Sequence, residues 1–73
     1  SAASDVYKRQ IYTSLLNDYA EQNVGRTHYE LIAQALLCAK KLNGGQAAVK
    51  TLVAEFRIKH KRRPAMMEVL ARF

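Results

Sequence analysis

Apolar residues in this 73-residue chain fall into four clusters, separated by short polar or glycine-bearing breaks, and recur within each cluster at intervals of three and four. That interval belongs to helices with one buried stripe rather than to strands, whose faces alternate. The densest cluster is residues 29–42, YELIAQALLCAKKL. Set on a helix at about 100° per residue, its Tyr, Leu, Ile, Ala and Cys residues cover more than half the circumference. Its clearly polar arc is Glu30, Gln34 and Lys41. A helix that apolar needs cover on at least two sides, so it is expected at the centre, with the other three segments as its neighbours.

The first segment, residues 5–23, carries Ile11, Tyr12, Leu15, Leu16, Tyr19 and Ala20 as pairs four apart, which makes one stripe. Ser4 or Asp5 is placed to cap its start, and Gly25 to close its end in the left-handed conformation. Thr27-His28-Tyr29-Glu30 fits a capping box, in which Thr27 accepts from the amide of Glu30 and Glu30 from the amide of Thr27. The central helix is expected to stop at Asn43-Gly44-Gly45, with Lys40 and Lys41 at the negative end of its dipole. Residues 46–60 present Val49, Leu52, Val53 and Phe56 at i, i+3, i+4 and i+7. Pro64 ends that segment and suits the first turn of another. Residues 65–72 then offer Met66, Val69 and Leu70, with Phe73 following at the same spacing.

Short connections force consecutive helices to lie side by side and antiparallel. The expected fold is all-α: an antiparallel three-helix bundle, or repeat-like helical hairpin, with a short fourth C-terminal helix. Residues 12–40 can be laid over a tetratricopeptide pattern, but His28 falls where a small residue is wanted, so a consensus repeat is not expected.

Size makes stability marginal, since so short a chain buries only about 60% of the surface its unfolded form exposes. Cys38 is the single cysteine, so neither an internal disulfide nor a multi-cysteine zinc site can form. The longest unbroken apolar run, residues 35–39, is far short of the roughly 18 residues of a membrane span. No membrane association and a cytoplasmic location are therefore expected. The opening SAASDVYKRQ begins with Ser rather than Met. It resembles adapter-derived sequence found at the ends of translated metagenomic fragments. Residues 1–10 are accordingly expected to be a non-native or disordered lead-in running into the first helix. Residues 11–73 are expected to be one helical module, the C-terminal part of a larger protein.

The formal net charge of +6 favours acidic partners and also serves solubility. Its focus is residues 57–63, RIKHKRR, where Arg57, Lys59, Lys61, Arg62 and Arg63 place five cations in seven residues. Such a run can neutralise phosphates and release counterions, and equally suits a solvated helix end. No aromatic residue is interleaved to stack bases. His28 and His60 lack carboxylate partners at ligand spacing and read as exposed helix-end residues. Cys38 reads as a small buried hydrophobe. Tyr12 and Tyr19 read as packing residues with hydroxyls at the rim. No carboxylate pair, phosphate-binding loop or nucleophile with its base is apparent, so no enzymatic activity and no cofactor are expected.

Several stretches together resemble the C-terminal helical region of bacterial SWIM zinc finger family proteins. They are His28-Tyr29 opening an Ala-rich helix, Lys40-Lys41-Leu42 closing it, residues 52–57, LVAEFR, and residues 61–70, KRRPAMMEVL. The likeness spans residues 12–73, and its specific part is the RRPAMMEVL block. The resemblance implies a helical scaffold attached to a DNA- or protein-binding parent. That family's zinc motif, Cys-x-Cys…Cys-x-His, has no match here, so no metal ligand carries over. The reading is a non-enzymatic scaffold or interaction module that binds the rest of its chain or another protein. Nucleic-acid binding through residues 57–63 is the alternative.

Overall fold

The computed structural model describes residues 2–73. Four helices follow in order: α1 (Ala2–Gln22), α2 (Arg26–Ala39), α3 (Gly45–Lys59) and α4 (Pro64–Leu70). There is no strand among the described residues, and the all-α expectation holds. Position 1 of the expected lead-in lies outside the described residues. The remainder of that lead-in is helical and continuous with α1.

Polar contacts between helix ends fix the directions. Near one end Tyr19 and His28 hydrogen-bond at 2.7 Å, and near the other the Asn43 amide donates to Asp5 at 2.7 Å. Thus α1 and α2 run antiparallel. Arg9 donates to the Asn43 carbonyl just before α3, while Lys59 at the far end of α3 pairs with Glu21 at 3.0 Å. Helix α3 therefore returns alongside α1. Helix α2 packs against all three others, as the central segment requires.

The core closes around the stripes. Val49, Leu52, Val53 and Phe56 from α3, and Met66, Val69 and Leu70 from α4, are buried together with Tyr29, Ile32, Ala33, Leu36 and Ala39 from α2. From α1, Leu16 and Ala20 are buried and Tyr12 and Tyr19 pack against the rest. Ile11 and Leu15, assigned to the same stripe, are instead exposed.

Local punctuation differs from expectation in four places. Helix α2 begins at Arg26, so Thr27 already lies inside the first turn and its side chain makes no capping hydrogen bond. Glu30 turns away to Arg72, accepting two hydrogen bonds at 2.6 and 2.7 Å. The capping box does not form. Second, Gly25 is the N-cap of α2, at φ 134° and ψ 154°, rather than a left-handed closure of α1; that extended positive-φ region is essentially restricted to glycine. Third, α1 is already helical at Ala2, and Asp5 serves Asn43 rather than capping. Fourth, α2 stops at Ala39, and tight turns carry the chain onward, with Leu42 donating to Ala39 and Gly45 to Leu42 at 3.1 and 2.8 Å. Gly45 is buried so close to the Ala39 carbonyl that a Cβ would overlap it. Pro64 stands in the first turn of α4, as expected.

Candidate functional site

The basic stretch is where the last turn of α3, the connecting loop and the start of α4 meet the C-terminal end of α1. A helix leaves its last four carbonyls without intrahelical donors. In α1 the Asn23 side chain serves Tyr19 at 2.9 Å and Arg63 serves Ala20 at 2.7 Å. Arg57 does the same for α4, donating to the Leu70 carbonyl at 3.1 Å. Lys59 pairs with Glu21, holding that carboxyl below its ordinary value first by hydrogen bonding and then by charge. Of the five predicted cations, Arg57, Lys59 and Arg63 are thus joined to the protein's own acceptors. Lys61 and Arg62 are exposed and face solvent. Five like charges in sequence become a seam in which most of the charge fastens helix ends.

His60 sits inside this seam rather than on the surface. It is 6% exposed, its ring lies 5.6 Å from that of Phe56, and its Nε2 has no hydrogen-bond partner. Its nearest acid is Glu21, at 4.0 Å. Burial pushes its pKa down, the Arg63 charge adds to this, and Glu21 opposes it. The expectation of an exposed helix-end histidine is overturned: Phe56 and His60 are four apart, so the ring follows Phe56 into the core. His28 is half-buried and held by the Tyr19 hydroxyl, which gives that tyrosine the polar anchor expected of it.

Cys38 is exposed rather than buried. It lies on the side of α2 that carries Leu31 and Ala35, away from the core positions Tyr29, Ala33 and Leu36. This side borders a strongly apolar concavity. A groove of about 190 Å³ between α1 and α2 is lined by Leu15, Leu16, Tyr19, Leu31, Ile32 and Ala35. At Leu15 it continues into a second concavity with Tyr7 and Ile11. Leu15 is 62% and Leu31 48% exposed. Tyr7, Ile11 and Leu15 are four apart and form a ridge along α1. The sequence signal was present, since Ile11 and Leu15 were on the apolar stripe. What the period does not say is that only half of a wide stripe faces the core.

A third concavity, of about 610 Å³, lies between α1 and α3, where small residues such as Ala47, Ala48 and Thr51 face Arg9, Gln10 and Thr13. It is shallow and of mixed polarity. Among the described residues no group of three or more His, Cys, Asp or Glu side chains is placed to hold a metal ion. No described helix is long and apolar enough to cross a membrane.

The geometry therefore defines an all-α module with a basic seam, three of whose five cations are engaged within the protein, and an open apolar α1–α2 face. No protein-family model, curated protein or solved structure matches the chain.

Proposed function

We propose that this chain is a non-enzymatic helical interaction module whose working surface is the α1–α2 face. The observation that carries this reading is the continuous apolar strip of Tyr7, Ile11 and Leu15 beside Leu31 and Ala35. Apolar side chains scattered singly over a surface need no explanation, but a contiguous strip around a groove marks a place where another surface seats. The core on the opposite side is closed, with Phe56, Leu36 and Leu70 wholly excluded from solvent. The strip is therefore surplus to folding.

The test is binding of an environment-sensitive hydrophobic dye. The chain is expected to enhance its fluorescence, and Leu15→Arg to abolish the enhancement while leaving the far-ultraviolet circular dichroism and thermal midpoint nearly unchanged. No enhancement from the chain at a dilution where it is monomeric, or enhancement indifferent to Leu15→Arg, would refute the assignment.

The nucleic-acid reading has less support, because Arg57, Lys59 and Arg63 already have partners in the protein. Freeing them means breaking contacts between helix ends. Attachment to a SWIM-type parent remains a separate proposal, resting on the RRPAMMEVL block; a Cys-x-Cys…Cys-x-His motif in the sequence upstream of Ile11 is its test.

A further inference from the structure

We propose that the α1–α2 face is occupied by a second copy of this chain, with the two α1 helices antiparallel about a twofold axis at the level of Thr13 along the helix. This deepens the interaction-module reading and rests on it.

An isologous interface needs a surface complementary to itself: if residue i meets residue j, then j meets i. For two antiparallel helices, that means matching positions equally far to either side of one point. Helix α1 meets the condition twice. Ile11 and Leu15 stand two positions to either side of Thr13, so each Ile11 faces the partner's Leu15. Lys8 and Asp18 stand five positions to either side and carry opposite charges, so each lysine faces the partner's aspartate. At about 100° per residue these four side chains fall within one arc of α1, the arc of the exposed ridge. Lys8 and Asp18 are both exposed, and among the described residues no ion pair engages either. Their charges are left available for a partner.

Helix α2 follows the same axis. The Tyr19–His28 hydrogen bond sets the level at which α1 and α2 lie side by side. Six residues back from Tyr19 is Thr13, and six forward from His28 is Gln34, so the axis crosses α2 beside Gln34 and Ala35. The small Ala35 side chain lets the two layers approach there. Leu31 and Cys38 then stand three to four positions to either side, and each Leu31 meets the partner's Cys38. The product is a four-helix layer pair in which hydrophobic contacts lie near the axis and two Lys8–Asp18 pairs lie outside them. An unrelated partner gives no reason for one register to satisfy both the apolar and the charged pairs.

Sedimentation of the 73-residue chain over a concentration series tests this. The expected result is a reversible monomer–dimer equilibrium, abolished by Leu15→Arg. Lys8→Asp alone, which sets like charges opposite each other at two symmetric points, is expected to raise the dissociation constant about tenfold, and Asp18→Lys likewise. The double variant Lys8→Asp with Asp18→Lys is expected to restore the dissociation constant to within about threefold of the parent, because both pairs re-form with their signs exchanged. A chain monomeric at every concentration, or a double variant as weak as the singles, overturns the proposal. A monomer that still binds hydrophobic dye in a Leu15-dependent way keeps the interaction surface and removes the second copy. A monomer that binds no dye removes both.

Discussion

Arg62 and Arg63 are adjacent, carry the same charge, and are expected to differ sharply when replaced by Ala. Arg63 reaches back to the Ala20 carbonyl at 2.7 Å, in the last turn of α1, where no amide of the helix is available to it. Ala20 is fully buried, so water cannot easily replace the lost donor. A hydrogen bond to a charged donor is worth about 1.5–3 kcal/mol. Because Arg63 itself is only half-buried, the lower part of that range, about 1.5–2 kcal/mol, is the expected cost. Domains are stabilised by roughly 0.05–0.15 kcal/mol per residue, which for a chain of this length amounts to about 4–11 kcal/mol. One kcal/mol moves the melting temperature of so small a domain by about 4–8 °C, so Arg63→Ala should melt about 6–16 °C lower. Arg62 touches no acceptor, and a surface change of that kind stays within about 0.5 kcal/mol, or under about 4 °C. Thermal and urea unfolding, followed by circular dichroism on both variants at one ionic strength, makes the comparison. Equal shifts would show that the α1-to-loop tether contributes nothing, and would return the basic stretch to a plain solvated helix end.

Acid should weaken the fold in two ranges. Burial holds the folded-state pKa of His60 below its ordinary 6.5, so between those values the unfolded chain binds the extra proton. Stability is therefore complete above about pH 6.5 and falls as pH drops through the interval. Glu21 and Glu30, held low by Lys59 and Arg72, shift in the same sense from 4.5, so their contribution is lost at lower pH. The urea midpoint followed from pH 8 to pH 3 should show both steps, and His60→Gln should remove the upper one alone. Persistence of that step in the variant would assign it elsewhere. Gly45→Ala should cost about 3 kcal/mol, because the added methyl collides with backbone that cannot move aside. Gln46→Ala, at the exposed neighbouring position, should cost almost nothing; near-equal urea midpoints for the two would refute the close approach.

The helices themselves were legible because three of the four core stripes obey a single rule. Val49, Leu52, Val53 and Phe56 lie at the spacing that places side chains on one side of a helix, and all four are buried. Met66, Val69 and Leu70 follow the same rule. The punctuation was less legible. Thr27 and Glu30 satisfy a local pattern, but whether that pattern forms depends on where the preceding turn releases the chain. Gly25 releases it at Arg26, two residues too early. Glu30 was then free to be claimed by Arg72, forty-two positions away, a pairing no local window contains. The basic stretch illustrates the same limit. Its composition is consistent with phosphate binding, but the acceptors for Arg57 and Arg63 are main-chain carbonyls, present at every residue and therefore without any sequence signal.

The wide apolar arc of residues 29–42 has the opposite lesson. Its width was evident in the sequence, and it called for more cover than three short helices supply. Helices α1, α3 and α4 bury Tyr29, Ile32, Ala33, Leu36 and Ala39, yet Leu31, Leu37 and Cys38 stay exposed. On α1 the shortfall recurs at Tyr7, Ile11 and Leu15. Leu31 and Leu15 border one groove, so most of the surplus of the two helices adds up on one face, with Leu37 and Val6 exposed elsewhere. A fold that needed this surface for its own stability would have turned it inward, as α3 does with Phe56. Because α1 and α2 turn it outward together, and because Lys8 and Asp18 bracket it with opposite charges at equal distances, the surface has the symmetry of an interface with itself.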